Sequence, residues 1–205
     1  MSSNIIAVKL IEISGIILPA AIVVFPISYI FGDILTEVYG YSAARRVIWL
    51  GFVCNLIFVL ISFIAKLLPP AHFWDGQSAY EKILGYAPRL LFASFIAYLF
   101  GEFSNSFVLA KLKVKTRGKF LWLRTITSTF VGQWFDSAVF ITLAFYGNIP
   151  IGALIFTVIN QWVAKVLYEI LFTPLTYGVV NFLKKREGLD VFDYETKFNP
   201  LLLKG

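Results

Sequence analysis

Glu102 and Asp136 are carboxylates set inside two apolar stretches of this 205-residue chain, and each has polar company at helical spacing. Ser94, Tyr98, Glu102 and Asn105 follow i, i+4, i+8, i+11. Thr129, Gln133 and Asp136 follow i, i+4, i+7, with Ser128 and Ser137 alongside. Asn160, Gln161, Lys165 and Glu169 form a third set, and Tyr29, Asp33, Thr36 and Glu37 a fourth. On helices, each set is one polar stripe. A charge at the centre of a spanning helix costs on the order of 2.5–3.5 kcal/mol, so stripes of this kind belong on a shared interior rather than against lipid. Carboxylates beside a glutamine, an asparagine and abundant aromatic rings suit a planar, amide-like heterocycle. A carboxylate accepts two parallel N–H bonds from a guanine-type edge, and rings cover its faces. The same carboxylates would equally serve as a proton relay.

Some of these groups have a structural reading as well. Lys165 and Glu169 have a favourable intrahelical spacing, and Asp33 and Glu37 lie near Arg45 and Arg46, as interfacial ion pairs would. His72 reads as a solvated loop residue. One cysteine (Cys54) excludes a disulfide framework, and with a single histidine it leaves no zinc-ligand set, so no metal and no cofactor are expected. There is no H-E-x-x-H and no nucleophile–histidine pairing in the apolar segments, which argues against an enzyme; Glu102 and Asp136 would be its one candidate acid/base pair. No G-x-x-x-x-G-K-[ST] loop is present, so the chain does not itself hydrolyse ATP.

The elements that must position these residues are set by composition. Apolar residues make up 59% of the chain and charged residues 15%, against roughly 25% charged in ordinary soluble domains. The mean hydropathy of +0.78 comes from long runs. A spanning helix needs about 20 mostly apolar residues. Residues 46–68, 88–111, 120–147 and 150–183 each supply one, and 19–39 supplies a fifth, opened by Pro19 and interrupted by Pro26. The apolar stretch Ile5–Leu18 carries Lys9 and Glu12 and lacks the marks of a signal peptide. It reads as the tail of a first helix followed by a turn. Beside the first stripe, Ala93, Ala97 and Gly101 form a ladder of small residues that admits another helix closely. The expected fold is an all-α, polytopic membrane bundle: a single transmembrane domain over 1–183 and a cytoplasmic tail over 184–205.

Basic residues fix the expected orientation. Arg45 and Arg46 share one loop, and Lys111, Lys113, Lys115, Arg117, Lys119 and Arg124 crowd another. Lys184, Lys185 and Arg186 follow the last span. The intervening loops, 69–87 and 147–150, are poor in them, so residues 40–45, 112–119 and the C-terminus face the cytoplasm of an inner-membrane protein. This alternation explains a pI near 9.4 without nucleic acid; the partners expected are the bilayer and a small solute.

Phe25-Pro-Ile-Ser-Tyr-Ile-Phe-Gly-Asp-Ile-Leu-Thr-Glu-Val-Tyr-Gly-Tyr41, followed by Ala44-Arg45-Arg46, resembles the queuosine-precursor transporter family, also called the vitamin uptake transporter family. The resemblance continues through Ala93-Ser94-Phe95 and Gly101-Glu102, Arg124-Thr-Ile-Thr-Ser-Thr129, Gly132-Gln133, Asp136-Ser137, Lys165 and Pro174-Leu-Thr-Tyr-Gly178. It closes in the tail with Glu187-Gly-Leu-Asp-Val-Phe-Asp-Tyr194 and Phe198-Asn-Pro200. It implies six helices related in fold to substrate-binding components of energy-coupling-factor transporters. Against that pattern this chain has five full helices and a truncated first one, Ser3-Asn4 following the initiator at once. It also implies uptake of 7-deazaguanine precursors of queuosine, such as 7-cyano-7-deazaguanine, for tRNA modification. On that reading Glu102 and Asp136 meet the donor edge of the solute and Gln133 and Asn105 add hydrogen bonds. Lys165 balances buried negative charge, and Ser94, Tyr98, Asp33 and Thr129 complete the set. The alternative is a binding subunit for another vitamin-like solute that relies on a separate ATPase module; a homo-oligomer is equally open.

Overall fold

The computed structural model describes residues 5–6, 9–13, 16–20, 24–84 and 88–202. Its architecture is an all-α bundle with one small ribbon at the N-terminal side. Strands β1 (Leu10–Ile13) and β2 (Ile16–Pro19) pair antiparallel, Leu10 opposite Pro19 and Ile13 opposite Ile16. The helix tail expected over Ile5–Leu18 is therefore not what Leu10–Pro19 forms. The β-branched run Ile11, Ile13, Ile16, Ile17 favours extended backbone. Of the remainder of that expected first helix, residues 7–8 lie outside the described residues.

Helix α1 spans Phe25–Tyr39, with Pro26 in its first turn. The expected span of 19–39 is thus shortened, and Pro26 opens the helix instead of interrupting it. A proline there loses no intrahelical hydrogen bond, whereas further in it would. Fifteen residues make about 22 Å, less than the roughly 30 Å of a bilayer core. Gly40, at φ 81°, ends α1 and begins α2 (Tyr41–Leu67) without a loop. After Pro69 and Pro70 comes the short α3 (Gln77–Leu84), then α4 (Pro88–Lys115), α5 (Leu121–Phe145) and α6 (Ile151–Glu187).

Tyr41–Leu67, the stretch Gln77–Lys115 and Ile151–Glu187 are long and apolar enough to cross a membrane. Their outer faces fit lipid: Leu50, Ile57, Leu60, Ile61 and Ile64 on α2 and Ile155, Phe156, Leu167 and Leu171 on α6 are all exposed. Helix α5 has the length, but Arg124, Thr125, Ser128, Thr129, Gln133 and Ser137 are buried along it and dilute its apolar content. Such a helix suits the inside of a bundle. Helix α4 packs along α5, α5 along α6, and α1 lies against α2, α4 and α6. The ring of helices thus closes around the faces that carry the polar stripes.

Candidate functional site

Two glycines bring the stripes together. A Cβ on Gly101 of α4 would lie 2.8 Å from the Asp136 Cβ, and one on Gly132 of α5 would lie 2.7 Å from the Asn105 Cβ and 2.8 Å from the Gly101 carbonyl oxygen. The helices cross backbone to backbone at this pair, as small residues permit. Glu102 and Asn105 of α4 therefore share one layer with Gln133 and Asp136 of α5. Helix α1 enters the same layer. The Glu102 Oε2 lies 3.2 Å from where a Gly32 Cβ would stand, and Asn105 Nδ2 donates to Asp33 Oδ1 at 2.7 Å. From α6, Lys165 reaches across and forms an ion pair with Asp136.

Most of the residues proposed from sequence gather here. Asp33, Asn105, Thr129, Gln133 and Lys165 are buried, and Glu102 and Asp136 are half-buried. Several polar atoms of this layer make no hydrogen bond within the protein: Asp33 Oδ2, Asn105 Oδ1, Thr129 Oγ1, Ser137 Oγ and Glu169 Oε1. A buried polar atom without a partner costs about 1–3 kcal/mol, so such a layer favours a solute that supplies the missing donors and acceptors. Tyr98 serves differently: its hydroxyl donates to the Ile48 carbonyl at 3.3 Å and sits against Gly51, tying α4 to α2. Ser94 is half-buried a turn above it. On α6 the expected stripe is incomplete, because Asn160 is exposed, while Lys165 and Glu169 are buried.

Sequence reasoning placed Glu37 beside Arg45 and Arg46, and the structure pairs it otherwise. Its Oε1 accepts from Arg124 at 2.6 Å and Lys184 at 2.6 Å, with Lys113 at 3.8 Å. Lys113 also donates to the Glu37 and Val191 carbonyls and lies 2.5 Å from Asp190, which Lys184 meets at 2.9 Å. Arg45 instead donates to the carbonyls of Lys197 and Asn199 in the tail. The turn at Gly40 explains this, since it sends α2 away from the face of α1 that meets α4, α5 and α6. Lys113, Arg124 and Lys184 had counted only as loop charges that orient the chain. The one signal for more was that each lies a turn from an apolar run, where a charge can bend inward to a partner. Burial alone would raise the Asp190 carboxyl, but hydrogen bonds and charge from Lys113 and Lys184 outweigh it and hold it below the usual carboxylate range.

In sequence the chain resembles known transporters. A family model described as "Putative vitamin uptake transporter" matches residues 19–179. A protein of Bacillus subtilis named "Probable queuosine precursor transporter" is 28% identical over 186 residues, 90% of this chain and 81% of that one. The Escherichia coli "Queuosine precursor transporter" is 29% identical over 167 residues, 79% of this chain and 72% of its own. A "Probable queuosine precursor transporter" of Haemophilus influenzae is 25% identical over 122 residues, 60% of this chain and 49% of its own. No solved structure matches the chain.

Proposed function

The chain belongs to the vitamin uptake transporter family, a family of membrane transporters rather than enzymes, and we propose that it imports 7-deazaguanine precursors of queuosine. The observation that carries this reading is the convergence of Glu102, Asn105, Gln133 and Asp136 on one layer, among polar atoms without partners in the protein. A 7-deazaguanine presents two parallel N–H groups on one edge, a match for a carboxylate, and an amide carbonyl and one unprotonated pyrimidine-ring nitrogen that accept from Asn105, Gln133 or Lys165. In this scheme Glu102 takes the donor edge. Asp136, already paired with Lys165, supports it and accepts when that pair opens. Thr129 and Asp33 border the solute, Asp33 through Asn105. Ser94 and Tyr98 line the approach from the far side of the layer. The names of the relatives favour 7-deazaguanines over other vitamin-like solutes.

The bundle then sits in the inner membrane with the Glu37 cluster and the C-terminal tail at the cytoplasmic end, where the basic residues lie. The decisive test is rescue. A bacterium without its own importer and without de novo synthesis, given a low dose of 7-cyano-7-deazaguanine, should regain queuosine in its tRNA when it expresses this chain. Boronate-gel mobility reads the outcome, and absence of queuosine with the protein present in the membrane would sink the assignment. On purified protein, Glu102→Gln and Asp136→Asn should each weaken binding of 7-cyano-7-deazaguanine about 10- to 100-fold. That is the loss of one charge-assisted hydrogen-bond pair at about 1.5–3 kcal/mol. Unchanged affinity in both variants would remove these carboxylates from the site.

A further inference from the structure

Asn160 turns away from the interior that Lys165 and Glu169 of the same helix enter. It is exposed, on the side of α6 that also exposes Phe156 and Leu167. Ala153, Thr157, Ala164 and Leu167 stand at i−7, i−3, i+4 and i+7 from it, so they share that outer face. Its depth follows from the packing of α6 on α5. Trp162 Nε1 donates to the Phe130 carbonyl at 2.9 Å, and the Trp162 ring lies 5.2 Å from that of Trp134, beside the midpoint of α5 (Leu121–Phe145). The turn of α6 that bears Asn160 and Trp162 is therefore level with the middle of the bundle. The Thr157 hydroxyl donates to the Ala153 carbonyl at 2.8 Å, whereas the Asn160 amide forms no hydrogen bond among the described residues.

A carboxamide that faces lipid at this depth is unfavourable, because its donors and acceptor find no water there. Asparagine side chains join helices in a bilayer by hydrogen bonds between them, and small residues alongside let the backbones approach. Ala153, Thr157 and Ala164 supply that narrow ridge. Symmetry selects the partner. Copies of one chain insert with the same orientation, set by the same basic ends, so every Asn160 lies at the same depth. A two-fold axis along the membrane normal then brings like residues face to face. An amide carries both donors and an acceptor, so two asparagines satisfy each other, the N–H of each donating to the C=O of the other. We propose that the chain forms a homodimer through the outer face of α6, with the Asn160 side chains of the two copies paired at mid-membrane. This face is opposite the one that bears Lys165 and Glu169, so each copy keeps its own interior layer, and the dimer stands apart from the choice of solute.

The full chain in liposomes tests the face directly. In a Cys54→Ser background, Leu167→Cys marks the proposed face and Leu60→Cys the exposed face of α2. Oxidation should give a covalent dimer with Leu167→Cys and none with Leu60→Cys. Cross-linking at neither position, at Leu60→Cys alone, or equally at both overturns the proposal. Affinity is read by fluorescence energy transfer between copies labelled at Tyr194→Cys, in the same background, as protein is diluted into lipid. Asn160→Leu leaves the interior contacts of the bundle untouched, so the fold is kept. It should weaken association about tenfold, as the loss of two interhelical hydrogen bonds implies, and Asn160→Gln should retain most of it. Equal association of wild type and Asn160→Leu would remove Asn160 from the interface and overturn the pairing. So would a chain that stays monomeric at every density, while Asn160→Leu releases another membrane protein that co-isolates with the wild type; that result assigns the face to a different partner.

Discussion

Glu37 shows how much one side chain can hold together. It is fully buried and faces Arg124, Lys113 and Lys184, groups from three helices that would repel one another without it. Replacing a hydrogen-bonded ion pair with two apolar groups is often tolerated, but removing one partner leaves buried charge uncompensated. Glu37→Gln is therefore expected to destabilise the folded chain by about 3–5 kcal/mol, seen as a marked fall in thermal midpoint in detergent. A midpoint within a degree or so of wild type would mean that Asp190 and hydration, not Glu37, compensate the three cations. Glu37 and Asp33 sit one turn apart on α1, and their environments differ sharply: one carboxylate meets three cations, the other an amide, with its second oxygen unpartnered. Both residues were legible in the sequence as inward-facing acids. Which of them was paired was not, because the partners lie 72 and 87 residues further along the chain.

At the scale of elements, the crossing of α4 and α5 decides whether a site exists at all. The ladder Ala93, Ala97, Gly101 announced a close approach, and Ala93 and Ala97 are indeed buried. The partner, Gly132, could not be chosen from the sequence, since a close approach on one helix says nothing about which helix makes it. Gly132→Ala would set a methyl against the Asn105 Cβ and a backbone oxygen, neither of which can swing aside. Overpacking of this kind costs typically about 1–3 kcal/mol, and here it also pushes Asn105 off Asp33. Thermal stability and affinity for 7-cyano-7-deazaguanine should fall together. Gly178→Ala in α6, which meets nothing within 4 Å, should leave both unchanged. Equal behaviour of the two variants would mean that the crossing is not the constraint.

Across the whole molecule, the tail is a strap as well as an end. Val191 N–H donates to the Val38 carbonyl, and the Asp193 carboxylate accepts from the Tyr41 N–H at the first turn of α2. Trp49 Nε1 donates to the Pro200 carbonyl, and Phe198 packs against Tyr41 and Phe107. Gly40 allows this, because a side chain there would collide with Val191 and Asp193. Asp190 fastens the start of the strap to Lys113 and Lys184. Its carboxyl is held below the unfolded value of about 3.8, so its contribution is fully present above that pH. It is lost as pH falls through the lower folded value. Asp190 is 44% exposed, so the effect is modest, under about 1 kcal/mol. A nitroxide at exposed Tyr194 should stay immobile from neutral pH down to about pH 4 and loosen below it. Asp190→Asn should loosen it at all pH values and flatten that acid step. An identical acid step in the variant would assign it to another carboxyl.

The sequence by itself determined that this is a membrane protein, which faces of α1, α4 and α5 are polar, where the basic residues cluster and which family the chain joins. Those properties are local: hydropathy is summed along a run, and a stripe is defined by 3.6 residues per turn within one helix. It misread the first elements, where β-branched residues outweighed a helical expectation and Pro26 began a helix instead of breaking one. Only the tertiary structure decided that Asp33 meets Asn105, Glu37 meets Arg124, Lys165 meets Asp136 and the tail returns to α2. Each of those pairings depends on how helices cross and how the chain turns at Gly40. The contact surface that sets a crossing belongs to two segments at once, and neither segment's own pattern contains it.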